Sequence, residues 1–255
     1  MRILFLGNNW LAWKILEWLR AEGEEIAGLV VHPPEKQKYG EKLVKCAELP
    51  AAAVFDGSKL RDPGLIEKIR TQKFDIGLSV LFDYILKPEL LSLFPKGVVN
   101  LHPAFLPYNR GQYPNVWSIV EGTPSGVTLH YIDEKIDTGD VIAREQVPVL
   151  PVDTGESLYR KLERASFRLF KVTWPLIKSG KNKRVRQKRQ SGTYHRTRDV
   201  EKIDEIRLDR SYLARDLINI LRARTFTSYR GAYFVVDGKR VYMRLNLEAE
   251  VEREE

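Results

Sequence analysis

The feature that most constrains this chain is the rhythm of its first hundred residues. RILFLG (residues 2–7) is an unbroken apolar run, the pattern of a strand covered on both faces. The period then changes: in WLAWKILEWLRAEG, Leu11, Ile15, Trp18 and Leu19 recur on one side and Gly23 ends the pattern, as in an amphipathic helix. The alternation continues through EIAGLVV (strand), PGLIEKIRTQK (helix), FDIGLSVL (strand), KPELLSLF (short helix) and GVVNLH (strand). Strand and helix in turn predict an α/β fold, a Rossmann-like, doubly wound and mostly parallel sheet. Ligands in such sheets sit beyond the carboxyl ends of the strands. Asn8, Asn9, Asn100 and His102 all follow strand patterns, so they are expected to meet in one crevice.

The rhythm persists beyond residue 113. PNVWSIVEG reads as a helix, GVTLHYI as a strand, DEKIDTGD as a loop and VIAREQVPV as a strand. Residues 153–180 read as a long helix, with Asp153 as its cap, Glu156 completing a capping box and Gly180 as the stop. The basic segment KNKRVRQKRQSG (181–192) follows and reads as an exposed linker. Residues 193–250 hold a helical pattern, SYLARDLINILRAR, and a hairpin pattern turning at Asp237-Gly238, a small C-terminal α+β unit. The division is therefore a large α/β domain (1–180), a linker (181–192) and a C-terminal subdomain (193–250). The acidic tail EAEVEREE is expected to fray.

Composition narrows the chemistry. A single cysteine, Cys46, excludes an internal disulfide framework and any multi-cysteine metal centre. The four histidines at 32, 102, 130 and 195 show no H-x-x-x-H pair, so no metal is expected. The net charge of +8 suits a polyanionic partner without specifying one. The apolar start is too short for a signal peptide, and no run approaches the ~20 residues that cross a bilayer. A cytoplasmic protein without a membrane partner is expected. FLGNNW carries only Gly7, so the G-x-G-x-x-G dinucleotide fingerprint is missing.

The chemistry-bearing residues lie in the centre. Asn100 and His102 end a strand in VVNLHPAFLPYNRGQYPN, and the loop IDTGD brings Asp137 and Asp140. A carboxylate within reach of an imidazole fixes its tautomer, and an amide can donate to a developing oxyanion. Taken singly, His102 reads as a structural residue, Asn100 as a turn former and Asp-Thr-Gly as a turn. Together they suit acyl-type transfer to an external nucleophile. No activated Ser or Cys accompanies them, so no covalent acyl-enzyme is implied.

NLHPAFLP, GVTLHYIDEKIDTGD and LSVLFDYILKPELL resemble the folate-dependent formyltransferases over roughly residues 1–180. The resemblance implies the formyltransferase fold, with Asn100, His102 and Asp137 catalytic and N10-formyltetrahydrofolate as formyl donor. It places the pterin beside Phe82, Ile85, Leu86 and Asp140; the first three read equally as core. PYNRG, PNVWSI, GTYHRTRDVEKID and LINILRARTFTSYRGAYF are similar to the nucleotide-sugar N-formyltransferases, implying a nucleotide-linked amino sugar as acceptor. Asn8, Asn9, Asn109, Arg110, Tyr194, Phe226 and Tyr229 are the candidate contacts, Phe226 and Tyr229 reading equally as packing of the C-terminal unit. The basic run from Lys178 to Arg189 keeps methionyl-tRNA as the alternative acceptor. The short, mixed-charge loop HPPEKQKYGEKL and the small C-terminal unit count against it. A reading from a different class, a non-catalytic nucleic-acid-binding module, does not explain all three central residues. A homodimer through the C-terminal hairpin is expected.

Overall fold

A computed structural model describes residues 1–188 and 192–250. The end of the basic segment (189–191) and the last five residues of the tail (251–255) lie outside the described residues. The elements run β1 (Ile3–Gly7), α1 (Trp10–Ala21), β2 (Ile26–Val31), α2 (Gly40–Ala47), β3 (Val54–Asp56), α3 (Pro63–Thr71), β4 (Ile76–Val80), α4 (Pro88–Leu91) and β5 (Val98–His102). There follow β6 (Arg110–Gly111), α5 (Pro114–Val120), β7 (Gly126–Tyr131), β8 (Val141–Gln146) and α6 (Gly155–Lys178). The C-terminal part holds β9 (Tyr194–His195), α7 (Glu201–Asp204), α8 (Ala214–Ala223) and the hairpin β10 (Tyr233–Val236) and β11 (Lys239–Tyr242).

Seven strands form the central sheet in the order β3-β2-β1-β4-β5-β7-β8. The first five are mutually parallel, whereas β7 and β8 run antiparallel at one edge. The pleat divides the apolar run of β1 between two cores. Ile3 and Phe5 belong to the cluster that holds Ile15 of α1 with Phe170 and Trp174 of α6. Leu4 and Leu6 belong to the other, with Phe74 and Leu90. Both faces are thus covered, which is why β1 shows no polar alternation.

Four local features differ from the sequence reading. HPPEKQKYGEKL is not a plain loop: it holds a single 3₁₀ turn at Pro34–Lys36 and then starts α2. Strand β3, at three residues, is too short to leave a period in the sequence. Thr154, not Asp153, caps α6; its side chain accepts from the Ser157 N–H while Ser157 Oγ accepts from the Thr154 N–H, so the box closes on Ser157 and not Glu156. Residues 181–188 are mostly exposed, yet they are tied to the domain: Val185 and Val141 exchange both backbone hydrogen bonds, at 2.9 and 2.8 Å.

The stop of α6 is where the sequence puts it. Gly180 (φ +69°) and Lys181 donate to the carbonyls of Ile177 and Leu176, a Schellman closure. The C-terminal unit docks through α8, which packs on α5 and α6. One Arg222 guanidinium nitrogen there donates to the carbonyls of Leu150, Pro151 and Asp153. In the hairpin, Asp237 and Gly238 both take positive φ, the geometry a two-residue turn requires. Among the described residues no helix is long and apolar enough to cross a membrane.

Candidate active site

A cavity of about 420 Å³ opens beside the ends of β4 and β5. Its lining includes the chain after β4, with Phe82, Tyr84, Ile85 and Leu86, and Tyr194, His195 and Arg196 from the C-terminal part. Asn100, His102, His130 and Asp137 line the same cavity.

Strand register builds the polar cluster. Asn100 faces His130 directly across the antiparallel β5–β7 pair, and His102 lies two residues further along β5. His130 Nδ1 is 2.8 Å from the Tyr131 carbonyl, which only accepts, so Nδ1 carries the proton. Its Nε2 lone pair then accepts from the Asn100 amide nitrogen at 3.1 Å. Burial pushes the His130 imidazole below its ordinary pKa and outweighs the opposing pull of Asp137, so the ring is neutral, as this hydrogen bond requires. One N–H of Asn100 is consumed and, among the described residues, the other is left to donate.

Asp137 sits in the loop between β7 and β8 with φ +53°, a left-handed conformation that Asp tolerates better than most residues. Its Oδ2 accepts from the Gly111 N–H at 2.9 Å and lies 3.6 Å from His102 Nε2. Its Oδ1 lies 3.6 Å from His130 Nε2. His102 Nε2 also lies 3.4 Å from the Asn109 carbonyl. Both neighbours of that nitrogen are acceptors, which assigns it the proton and leaves the lone pair of the neutral ring on Nδ1. Gly139 closes the loop under Tyr131: a Cβ there would stand 1.9 Å from the Tyr131 carbonyl oxygen.

The cavity gathers Asn100, His102, Asp137, Phe82, Ile85, Leu86 and Tyr194, but not the remaining expected residues. Asn8 and Asn9 do not join the crevice. Asn8 is spent on the turn after β2, donating to His32 and the Lys36 carbonyl and accepting from the Lys38 N–H. Asn9 caps α1 and donates to Tyr159. Asn109 is fully buried, its side chain bonded to Ser118, Thr123 and Thr193. Arg110 is buried off the cavity wall and donates to Gln187. Asp140 is off the cavity wall, its carbonyl accepting from the Tyr131 N–H. Phe226 packs edge-on against Tyr159 and Tyr229, with centroids 5.8 and 5.1 Å away, and only Tyr159 of the three reaches the cavity.

Sequence reasoning missed His130 and His195. His130 sits inside the alternating GVTLHYI, where a histidine reads as an ordinary strand residue; only its register opposite Asn100 distinguishes it. His195 stacks on Trp117 at 4.1 Å and faces the Glu121 carboxylate at 3.3 Å.

The mostly parallel seven-stranded sheet with helices on both faces is the fold of the formyltransferases. Residues 1–172 match the Formyl transferase family and residues 199–249 the N-formyltransferase dimerization C-terminal domain. The chain belongs to the formyl transferase family. It is 28% identical to the methionyl-tRNA formyltransferase of Geobacter sulfurreducens over 94% of this chain and 76% of that protein. Among solved structures, a 4-N formyltransferase from Francisella tularensis superposes with a TM-score of 0.80 at 27% identity, covering 98% of each chain. The formyltransferase PseJ from Anoxybacillus kamchatkensis, solved with UDP-4,6-dideoxy-4-formamido-L-AltNAc and tetrahydrofolate, gives 0.59 at 28% identity over 79% of this chain and 89% of its own.

Proposed function

We propose that this chain transfers a formyl group from N10-formyltetrahydrofolate to the amine of a nucleotide-linked amino sugar. The observation that carries the reaction is the Asn100–His102–Asp137 cluster on the wall of the cavity. The cavity's chemistry fits a folate: Phe82, Ile85 and Leu86 offer an apolar wall to a flat ring. Beside them the buried Tyr84 hydroxyl has no hydrogen-bond partner among the described residues, a group that a bound ring can satisfy.

The folate supplies a formyl carbon that an amine can attack. His102 Nδ1 accepts the proton that the amine loses. The free N–H of Asn100 donates to the carbonyl oxygen as negative charge builds on it. Asp137 stabilises His102 while its ring is positive, and His102 returns the proton to the departing nitrogen. Phe82, Ile85 and Leu86 exclude water from the ring they hold.

The sugar acceptor is supported by PseJ, which was solved with a formamido sugar nucleotide; the Francisella structure, which matches almost end to end, supports N-formyl transfer without naming an acceptor. Methionyl-tRNA is the second reading, favoured by the Geobacter relative and by the net charge of +8. The exposed apolar residues Val235, Val236 and Val241 of the hairpin support a homodimer. The deciding assay gives the chain N10-formyltetrahydrofolate with dTDP-, UDP- or GDP-linked amino sugars, or with methionyl-tRNA, and follows folate absorbance. Formylation of a sugar is expected. Turnover with tRNA alone, weakening steeply with salt as phosphate contacts dictate, overturns the sugar reading.

A further inference from the structure

The segment that joins the two units does more than connect them. Gln187 lies under the loop between β7 and β8, and its amide nitrogen is 3.0 Å from the Asp137 carbonyl and 2.8 Å from the Gly139 carbonyl. An amide nitrogen carries two hydrogens, so both carbonyls can be satisfied at once. Its Oε1 accepts from the Arg110 guanidinium at 2.9 Å. Arg110 precedes Gly111, whose N–H holds the Asp137 carboxylate. The contacts therefore close a ring in which the main chain of Asp137 is fixed from the linker and its side chain from β6. The Val185–Val141 backbone pair anchors the same segment just beyond the loop. A left-handed Asp persists only where its surroundings over-determine it, and this ring does so.

We propose that Gln187 is a positioning residue for Asp137, holding the loop so that the carboxylate stays in register with His102. The proposal rests on the formyl-transfer reading for its effect on turnover, but not for its effect on the loop. Gln187→Glu keeps the shape and an acceptor for Arg110 yet cannot donate to the two carbonyls; Gln187→Ala removes both roles. Each variant is expected to lose about ten- to a hundredfold in kcat, as the loss of one or two hydrogen bonds predicts, with KM within about twofold. Amide exchange at Lys135 and Val141, whose N–H groups are bonded in and beside the loop, is expected to quicken about tenfold in the ligand-free protein, with the melting temperature unchanged.

A kcat within twofold of the parent in Gln187→Glu overturns the proposal. So does exchange that stays unchanged in both variants, or that quickens equally across the C-terminal unit. If the parent chain formylates neither acceptor, the functional reading fails, while exchange at the loop still decides the role of Gln187.

Discussion

One cross-strand pair decides which way the Asn100 amide faces. His130 presents an acceptor nitrogen to Asn100 because its other nitrogen is committed to the Tyr131 carbonyl. His130→Ala should leave Asn100 free to rotate and lower kcat about ten- to a hundredfold, whereas His130→Gln, which keeps an acceptor, should recover much of the loss. Equal activity in the Ala variant would show that Asn100 needs no orienting partner. His102→Ala and Asp137→Asn should each cost about a hundred- to ten-thousandfold in steady-state turnover. At this scale the sequence singled out Asn100 and His102 as polar residues without an evident structural reason, and both line the cavity; their catalytic role is the proposal that these variants test. Asn8, Asn9 and Asn109 stand off the cavity wall: Asn8 and Asn9 bond backbone groups and Asn109 bonds the hydroxyls of Ser118, Thr123 and Thr193, uses that the letter alone does not reveal.

Elements set the loop that carries Asp137. Gly139 passes so close to Tyr131 that a methyl group cannot be added without moving the loop. Gly139→Ala should therefore lower kcat at least tenfold while the melting temperature falls by only a few degrees; a variant with parental kinetics would show that the loop relaxes freely. The strand-helix rhythm made β1, β2, β4 and β5 legible because each opens on or consists of buried apolar residues between helical patterns. The reversal of β7 left no such mark, since alternation looks the same in either direction; β8, antiparallel to β7, returns to the direction of β5. The cap of α6 slipped by one residue for a similar reason: Asp153 and Thr154 are both capping types, and Asp153 is occupied by the Leu150 N–H and Lys161. Thr154→Ala should cost about 1 kcal/mol of unfolding free energy in a urea titration.

For the whole molecule, two buried histidines contribute to how stability responds to acid. Burial lowers the pKa of both His32 and His130. The bonding agrees for His32: the Asn8 oxygen is taken by the Lys38 N–H, so the Asn8 nitrogen donates to His32 Nδ1, which must be unprotonated. Both groups bind protons more weakly when folded than when unfolded. The unfolded chain thus takes up more protons below about pH 6.5, and stability falls as the pH drops through that value toward the folded pKa. Above about pH 6.5 neither histidine contributes. Each can add a slope of up to about 1.4 kcal/mol per pH unit. Urea unfolding between about pH 8 and pH 5 should show a plateau and then a decline, and His130→Gln should flatten the decline by up to about one proton. A slope identical in parent and variant would mean that the folded state accepts a proton at His130, and the neutral acceptor that orients Asn100 would then be lost.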